Sequence, residues 1–443
     1  MNNQKKYRLP TGYSLLQALL TSGFSLKNPI PLISNSMEMF GGTYSVSLGK
    51  NKKLILTKDP DFISYVLKDN NKNYKKSPYA DKATRFFGNG LLFLNGADWL
   101  KQRRLMQPAF HREKIQDLYD IVIKSIADDL SHFPIGENTD IYPLLHRISF
   151  NILVKSIFDI EIPPETMDEI GRIFKEMQDF LVKDSNQPLS KLFYPITKAP
   201  SINVKKAERL KEIFKGIIRQ RNSSGRAYAD LLDMLLNSRY EDTGEKMSEE
   251  QITDELIILV FAGHETTANT LSWLLYLLAS NKEVVQQLTA SFENTTIHDC
   301  LNNEYLKAVI QEGMRLYPAA WMTERAAIED DQFGDFSFPK DTIIISFFFG
   351  LHRDKSLWVE PLRFKPERFV ADGKITKSKN YFPFGAGPRM CIGNNFAMVE
   401  MSFFLFTFLK QFKVSPTSQI PEMKPLITLR PDKILLDIEK INQ

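Results

Sequence analysis

The chain has 443 residues, 43% of them hydrophobic and 25% charged, with a formal net charge of +4. These are the proportions of a soluble globular protein, and so small a charge on so long a chain argues against nucleic acid as the main partner. Two cysteines, Cys300 and Cys391, exclude a disulfide framework, fit a reducing compartment and leave a thiol for chemistry.

The opening Met1-Asn2-Asn3-Gln4-Lys5-Lys6-Tyr7-Arg8 is polar and basic, and the apolar stretch at Leu15 to Leu20 is too short to cross a bilayer or act as a signal. Alternation over residues 43–58 predicts a hairpin around Gly49-Lys50-Asn51-Lys52. From about residue 97 the pattern turns helical, with apolar recurrence near 3.6 residues over 111–132, 140–159, 165–183, 202–221, 248–281 and 301–316. Strand character returns at Thr342 to Phe349, a last helix is expected at 394–412, and a β-rich tail follows Val414. No repeat, low-complexity tract or linker divides the chain. The expectation is one domain over residues 1–443, mainly α (α+β), with a small β-rich N-terminal lobe drawn largely from residues 40–60.

Several segments carry chemistry. Trp99 and Arg103 lie one turn apart, on one helix face; a generic amphipathic helix would also explain them. The apolar run Leu256 to Leu278 is broken at its middle by polar residues, so it reads as a long buried central helix and not as a membrane span. Within it stands Ala262-Gly263-His264-Glu265-Thr266-Thr267. Gly263 weakens the helix and admits a close approach to its backbone. Thr266 is placed to aim its hydroxyl at the Ala262 carbonyl and open a local widening. Glu265 supplies a carboxylate in an apolar setting. One acid and one hydroxyl beside a cavity suit proton delivery to bound dioxygen, although a kinked core helix with its polar side in water fits the same residues. His264 reads as a structural histidine.

Glu312 and Arg315 place opposite charges at i and i+3, which is most often a solvated surface pair. Phe364-Lys365-Pro366-Glu367-Arg368-Phe369 follows downstream. Phe384-Gly385-Ala386-Gly387-Pro388-Arg389-Met390-Cys391-Ile392-Gly393 then combines a glycine turn with a sulfur at the mouth of the last helix. Free N–H groups, the helix dipole and Arg389 there favour a thiolate, which suits a haem-iron ligand. For a lone cysteine the competing reading is a buried structural thiol beside a Gly-rich turn.

In order and spacing the segments at 99–103, 262–267, 312–315, 364–369 and 384–393 resemble the motifs of cytochrome P450 enzymes. The resemblance implies the P450 fold and haem b, with Cys391 as axial iron ligand. It implies that Phe384, Gly393 and Ala262 lie against the haem, and that Trp99, Arg103, Arg325 and Arg389 hold its propionates. Glu265 and Thr266 become acid and relay, while Glu312, Arg315 and Arg368 form a structural cluster. Leu92, Phe93, Phe261, Ala262, Ala320, Trp321, Met322 and Thr323 are expected to line the distal pocket.

The implied activity is a monooxygenase that activates dioxygen with a pair of electrons from an external ferredoxin or flavodoxin and its NAD(P)H-dependent reductase. It would hydroxylate or oxidatively O-demethylate a small organic substrate; a fatty acid, a terpenoid and a methoxylated compound such as a methyl sugar all remain open. Lys101, Arg104, Arg112 and Lys114 are the expected docking patch for the acidic redox partner. Lacking the N-terminal anchor of microsomal members, the chain is expected to be a soluble, bacterial, cytoplasmic monomer. The rivals are a peroxide-dependent haem-thiolate enzyme and, from another class, a haem-based sensor or carrier.

Overall fold

The helix Glu249–Ala279 is apolar nearly all round, so it is stable only where other elements cover every face. Its start is well specified: the Ser248 hydroxyl accepts the Gln251 N–H at 3.1 Å, and Glu249 and Glu250 oppose the positive helix end. In the computed structural model, which describes residues 7–22, 28–47, 53–159, 162–186, 193–223, 228, 230–371, 374–375 and 378–441, this helix is the axis of the molecule. Tyr142–Phe158 lies along it, and Ala199–Ser223 and Glu304–Leu316 pack on other sides. Gly263 explains one of these contacts, because a Cβ there would come 2.8 Å from Leu153 Cδ2. The close approach expected at this glycine is thus made by a neighbouring helix. The central helix also runs through the motif as unbroken α-helix, without the expected widening.

The β lobe is larger than its N-terminal share. Thr43–Ser47 and Lys53–Thr57 pair antiparallel as expected, from Thr43↔Thr57 to Ser47↔Lys53; the turn residues Gly49 to Lys52 lie outside the described residues. The full sheet has the order Gly12–Tyr13, Thr43–Ser47, Lys53–Thr57, Ile343–Ser346, Thr323–Ala327, Tyr74–Lys75. Its inner partner to the N-terminal hairpin, Ile343–Ser346, comes from the far end of the sequence and runs parallel to Lys53–Thr57. A second sheet joins the tail strands Phe412–Pro416 and Leu435–Lys440 to Gly136–Asp140.

Two expected elements are corrected. The segment 111–132 is two helices, Arg112–Gln116 and Tyr119–Ser131, because the Leu118 N–H turns back to Ile115 O at 3.1 Å and tightens the chain between them. The strand at Thr342 to Phe349 ends at Ser346. Phe348 enters one core cluster while Phe347 and Phe349 enter another, and the chain turns into a short helix, Phe348–Leu351. An unbroken apolar run carries no alternation to mark that end. No helix of the described residues is long and apolar enough to cross a membrane.

Candidate active site

Gly387 has φ +69°, and a Cβ on it would overlap the Leu67 carbonyl, so the turn needs glycine for both reasons. Around that turn the Met390 N–H donates to Gly387 O and the Cys391 N–H to Phe384 O, each at 3.0 Å. Cys391 is thereby held just ahead of the helix Asn394–Gln411, whose N-cap is Gly393. Cys391 keeps exposed surface, although the surrounding protein atoms desolvate its thiol. Burial pushes it above its ordinary value, against the Gly393 N–H and the Arg103 guanidinium, which pull it down. Desolvation therefore outweighs the helix end that the sequence reading relied on, and a coordinating metal is what deprotonates such a thiol. The cation beside the sulfur is Arg103, which donates to Met390 O at 3.0 Å; Arg389 is directed elsewhere. Cys300 is a different case, fully buried, with its thiol pushed up to about 12.

Arg389 lies over the Trp99 ring, 4.3 Å from its centroid, and donates to Leu94 O at 2.8 Å. It faces Arg325, which donates to Glu324 O at 2.8 Å and Thr323 Oγ1 at 3.2 Å. Lys76 completes the group. Burial, then repulsion by Arg325 and Arg389, pulls Lys76 down to about 7 against the attraction of Glu324. Burial also lowers Arg325 and Arg389 to about 10. Glu324, the carboxylate that attracts Lys76 and Arg325, already accepts from the Ser77 hydroxyl. Lys76, Arg325 and Arg389 thus converge without enough negative charge, which fits the carboxylates of a haem. Arg389 shares its loop with Cys391, and the Lys76 N–H donates at 2.9 Å to Oδ1 of Asn95, the N-cap of the Trp99 helix. Lys76 was missed in the sequence because it sits in a polar run, Asn73-Tyr74-Lys75-Lys76, that reads as solvated.

On the central helix the Thr266 hydroxyl donates to Ala262 O at 3.0 Å, as expected. Buried Glu265 is held by two residues that the sequence did not single out. Gln178 Nε2 donates to its Oε2 at 2.5 Å, and the Thr428 hydroxyl to its Oε1 at 2.9 Å; Asn269 Nδ2 in turn donates to Thr428 at 2.9 Å. Gln178 also lines a cleft of ≈ 1250 Å³ with Tyr142, His146, His264 and Arg430. His264 hydrogen-bonds Val260 O at 2.6 Å, and burial lowers its pKa, so it is a satisfied neutral core group.

The expected pocket lining divides. Leu92, Ala262, Ala320, Met322 and Thr323 keep exposed surface. Phe93 and Phe261 are nearly covered within an aromatic group in which Phe87 stands 4.1 Å from Phe261 and 6.4 Å from both Phe93 and Phe174. Trp321 is a correction: it is 2% exposed, packs with Tyr44, Leu56 and Phe347 in the core of the β lobe, and donates its indole N–H to Leu426 O at 3.0 Å. Its size and apolarity are used for folding, so it does not line a pocket.

Glu312 and Arg315 are both 0% exposed and meet through two bonds, Nε–Oε2 at 2.6 Å and Nη2–Oε1 at 2.8 Å. Arg368 joins at 3.1 Å. Arg315 also donates to His352 O at 2.6 Å and Pro361 O at 2.8 Å, while His352 Nε2 accepts the Phe382 N–H at 3.0 Å. Burial pulls His352 down to about 3, which keeps that nitrogen an acceptor. The cluster thus reaches the strand of chain leading into Phe384 and Cys391. The basic patch is partly self-neutralised: Lys101 pairs with Asp242 at 3.2 Å and Lys114 with Asp117 at 3.6 Å.

A family model described as Cytochrome P450 matches residues 8–438. Among curated proteins, the cyclooctat-9-en-7-ol 5-monooxygenase of Streptomyces melanosporofaciens is 29% identical over 397 residues, covering 88% of this chain and 86% of that protein. Cytochrome P450 3A29 of Sus scrofa is 30% identical over 427 residues, covering 87% and 81%. The crystal structure of the cytochrome P450DA heme domain superposes with a TM-score of 0.86 at 20% identity, over 99% of both chains, which speaks for the fold.

Proposed function

Because this chain belongs to the cytochrome P450 family, we propose that it is a monooxygenase that holds haem b on Cys391 and oxidises an apolar organic substrate with electrons from a separate ferredoxin or flavodoxin. The observation that carries this reading is the convergence of Lys76, Arg325 and Arg389 on the loop that presents the Cys391 thiol. An anionic, thiolate-ligated group answers both the surplus charge and the placed sulfur. When bound, the haem iron supplies binding and reductive activation of dioxygen.

The chain's own residues do the rest. Lys76, Arg325 and Arg389, with Arg103 on the sulfur side, hold the carboxylates. Thr266 Oγ1, bonded to Ala262 O, presents its lone pairs toward the site and passes a proton. Glu265, whose oxygens accept from Gln178 and Thr428, takes up a proton from solvent once those bonds are released and hands it on. Leu92, Phe93, Phe261 and Ala262 supply an apolar wall, and Thr323 a polar point. That wall favours an apolar skeleton over a methyl sugar, so hydroxylation is preferred to O-demethylation. An apolar alkenol, the class in the name of the Streptomyces relative, is the first candidate substrate. The scarcity of cysteines supports the cytoplasm as location.

The test is spectroscopic and then catalytic. The reduced carbon monoxide complex is expected to show the red-shifted Soret band of thiolate ligation. Apolar alkenols are expected to give a low- to high-spin shift, with NAD(P)H consumption only when ferredoxin or flavodoxin and a reductase are added. A carbon monoxide complex without the thiolate band would overturn the reading.

A further inference from the structure

Between the helices Pro78–Phe87 and Gly96–Met106 the chain runs Gly88-Asn89-Gly90-Leu91-Leu92-Phe93, and its first four residues rest on two buried carboxylates of the central helix. Asp254 accepts the Asn89 N–H at 2.7 Å and pairs with Lys211 Nζ at 2.7 Å. Glu255 accepts the Leu91 N–H at 2.9 Å and Gln251 Nε2 at 2.8 Å, and Gln251 reaches Asn89 O at 3.2 Å. Asp254 is 4% exposed and Glu255 0%.

The fit is tight on both sides. A Cβ on Gly88, at φ +79°, would overlap the Asp254 carboxylate. A Cβ on Gly90 would come 2.9 Å from Glu255 Oε2 and 2.8 Å from Ile258 Cδ1. Two glycines in the loop are therefore matched to two acids on the helix. Adjacent buried acids are costly, since each loses its hydration. Burial pushes Glu255 up to about 7, and Asp254 adds to the rise, against the Leu91 N–H, Gln251 and Gln102. What this arrangement gains is a fixed loop: without Glu255 the buried Leu91 N–H would be unpaired, and without Asp254 the Asn89 N–H would lose its partner. The loop passes its position on at once, because the N–H groups of Phe93 and Leu94 turn back to Gly90 O at 3.0 and 3.3 Å.

We propose that Asp254 and Glu255 are positioning residues that clamp Gly88 to Leu91 onto the central helix and so set where Leu92 and Phe93 stand, deciding which apolar substrates fit. The proposal rests on the reading of Leu92 and Phe93 as pocket wall. It makes Asp254 and Glu255, which touch no substrate, determinants of specificity two helical turns away from Ala262.

The holoenzyme carrying Glu255→Ala, Glu255→Gln or Gly90→Ala tests it. Three readouts are taken: exchange of the Asn89 and Leu91 amides, the ranking of dodecanoic acid, geraniol and testosterone by spin-shift titration, and the reduced carbon monoxide band. For Glu255→Ala, the Leu91 amide is expected to exchange about tenfold faster or more, the size of a lost bond to a charged acceptor. The ligand ranking is expected to change while the thiolate band stays. Glu255→Gln, which keeps an acceptor oxygen, restores the ranking. Gly90→Ala pushes the loop off with both acids in place, and serves where Glu255→Ala fails to fold. Unchanged exchange overturns the clamp. Faster exchange with an unchanged ranking overturns its role in specificity, and with it the placing of Leu92 and Phe93 in the wall. Loss of the band in wild type counts against the Cys391 reading alone, since amide exchange still reports on the clamp.

Discussion

Glu312→Ala removes the acceptor of four donors at once: Arg315 Nε and Nη2, Arg368 Nε and the Lys365 N–H. Arg315 would keep its bonds to the carbonyls of His352, Pro361 and Arg363, but its charge would be left without a carboxylate at 0% exposure. Breaking a buried pair by removing one partner costs about 3–5 kcal/mol. A domain has about 5–15 kcal/mol in all, so the variant is expected to lose at least a fifth of its stability and more than half if the total is near the low end. The damage has a direction. His352 accepts from Arg315 through its carbonyl and from the Phe382 N–H through its ring, so loosening Arg315 loosens the chain entering the thiol loop. Glu312→Gln keeps an acceptor oxygen and loses the charge, and is expected to fall between wild type and alanine. The assay pairs urea denaturation with the reduced carbon monoxide spectrum. The alanine variant is expected to unfold at lower urea and to show less of the thiolate band at concentrations where it is still folded. A loss under about 1 kcal/mol, the size of an exposed pair, would refute the view that this cluster supports the loop.

Cys391→Ala is expected to abolish the thiolate band, and Cys300→Ala, at a buried site outside the loop, to keep it; carbon monoxide spectra of both check this. Thr266→Ala loses one hydroxyl bond of about 1 kcal/mol but gains helix propensity. Its melting temperature is therefore expected to stay near wild type while hydrogen peroxide rises per NAD(P)H consumed; unchanged coupling would place the relay elsewhere. Lys76→Met is expected to stabilise the cofactor-free chain, by removing a partly buried cation that Arg325 and Arg389 repel, and to weaken haem retention; thermal melts with and without haem read both signs. Burial raises Glu400, bonded to Ser149 at 2.6 Å, from 4.5 to about 8. The folded state then holds a proton that the unfolded state has released, so this contribution is full below pH 4.5 and is lost as pH rises through 8. Glu400→Gln is expected to flatten that part of the stability profile, and an unchanged slope would mean the group does not titrate there.

Local features were legible in the sequence. The turn before Cys391, the bond from Thr266 to the Ala262 carbonyl and the facing of Glu312 and Arg315 all depend on residues within a few positions of one another. What was hidden depends on contacts between distant segments. Gln178 and Thr428 reach Glu265 across 87 and 163 positions, and nothing in either neighbourhood points to that carboxylate. Trp321 looked like pocket lining because a large ring suits a wall, but the lobe needed the same ring for its core. Three consecutive phenylalanines from Phe347 looked like strand because an apolar run cannot say that its side chains enter two cores. The cation expected beside the sulfur was misassigned for a related reason: Arg389 is nearer in sequence, but Trp99 and Leu94 draw it away and Arg103 takes its place.

The charged groups around Glu312 and around Arg389 are of two kinds, and the difference separates structure from function better than position does. Around Glu312 every charge has its partner within the protein, so the cluster is complete as folded. Around Arg389 it is not: Lys76 and Arg325 add to the positive charge, and Glu324 is engaged by Ser77. A repelled, desolvated group destabilises the chain that carries it, and a ligand of opposite charge that binds only the folded state returns that stability by mass action. Folding and cofactor retention are then linked by charge through the Lys76 group, whereas the Glu312 group needs no ligand to balance it and acts on the loop only through the fold. The same kind of substitution, a clustered cation to methionine, therefore carries opposite signs in the two places. At Arg315 it takes two donors from buried Glu312, leaving it Arg368 and the Lys365 N–H, and destabilises the chain with or without cofactor. At Lys76 it relieves the cofactor-free chain and penalises only the loaded one.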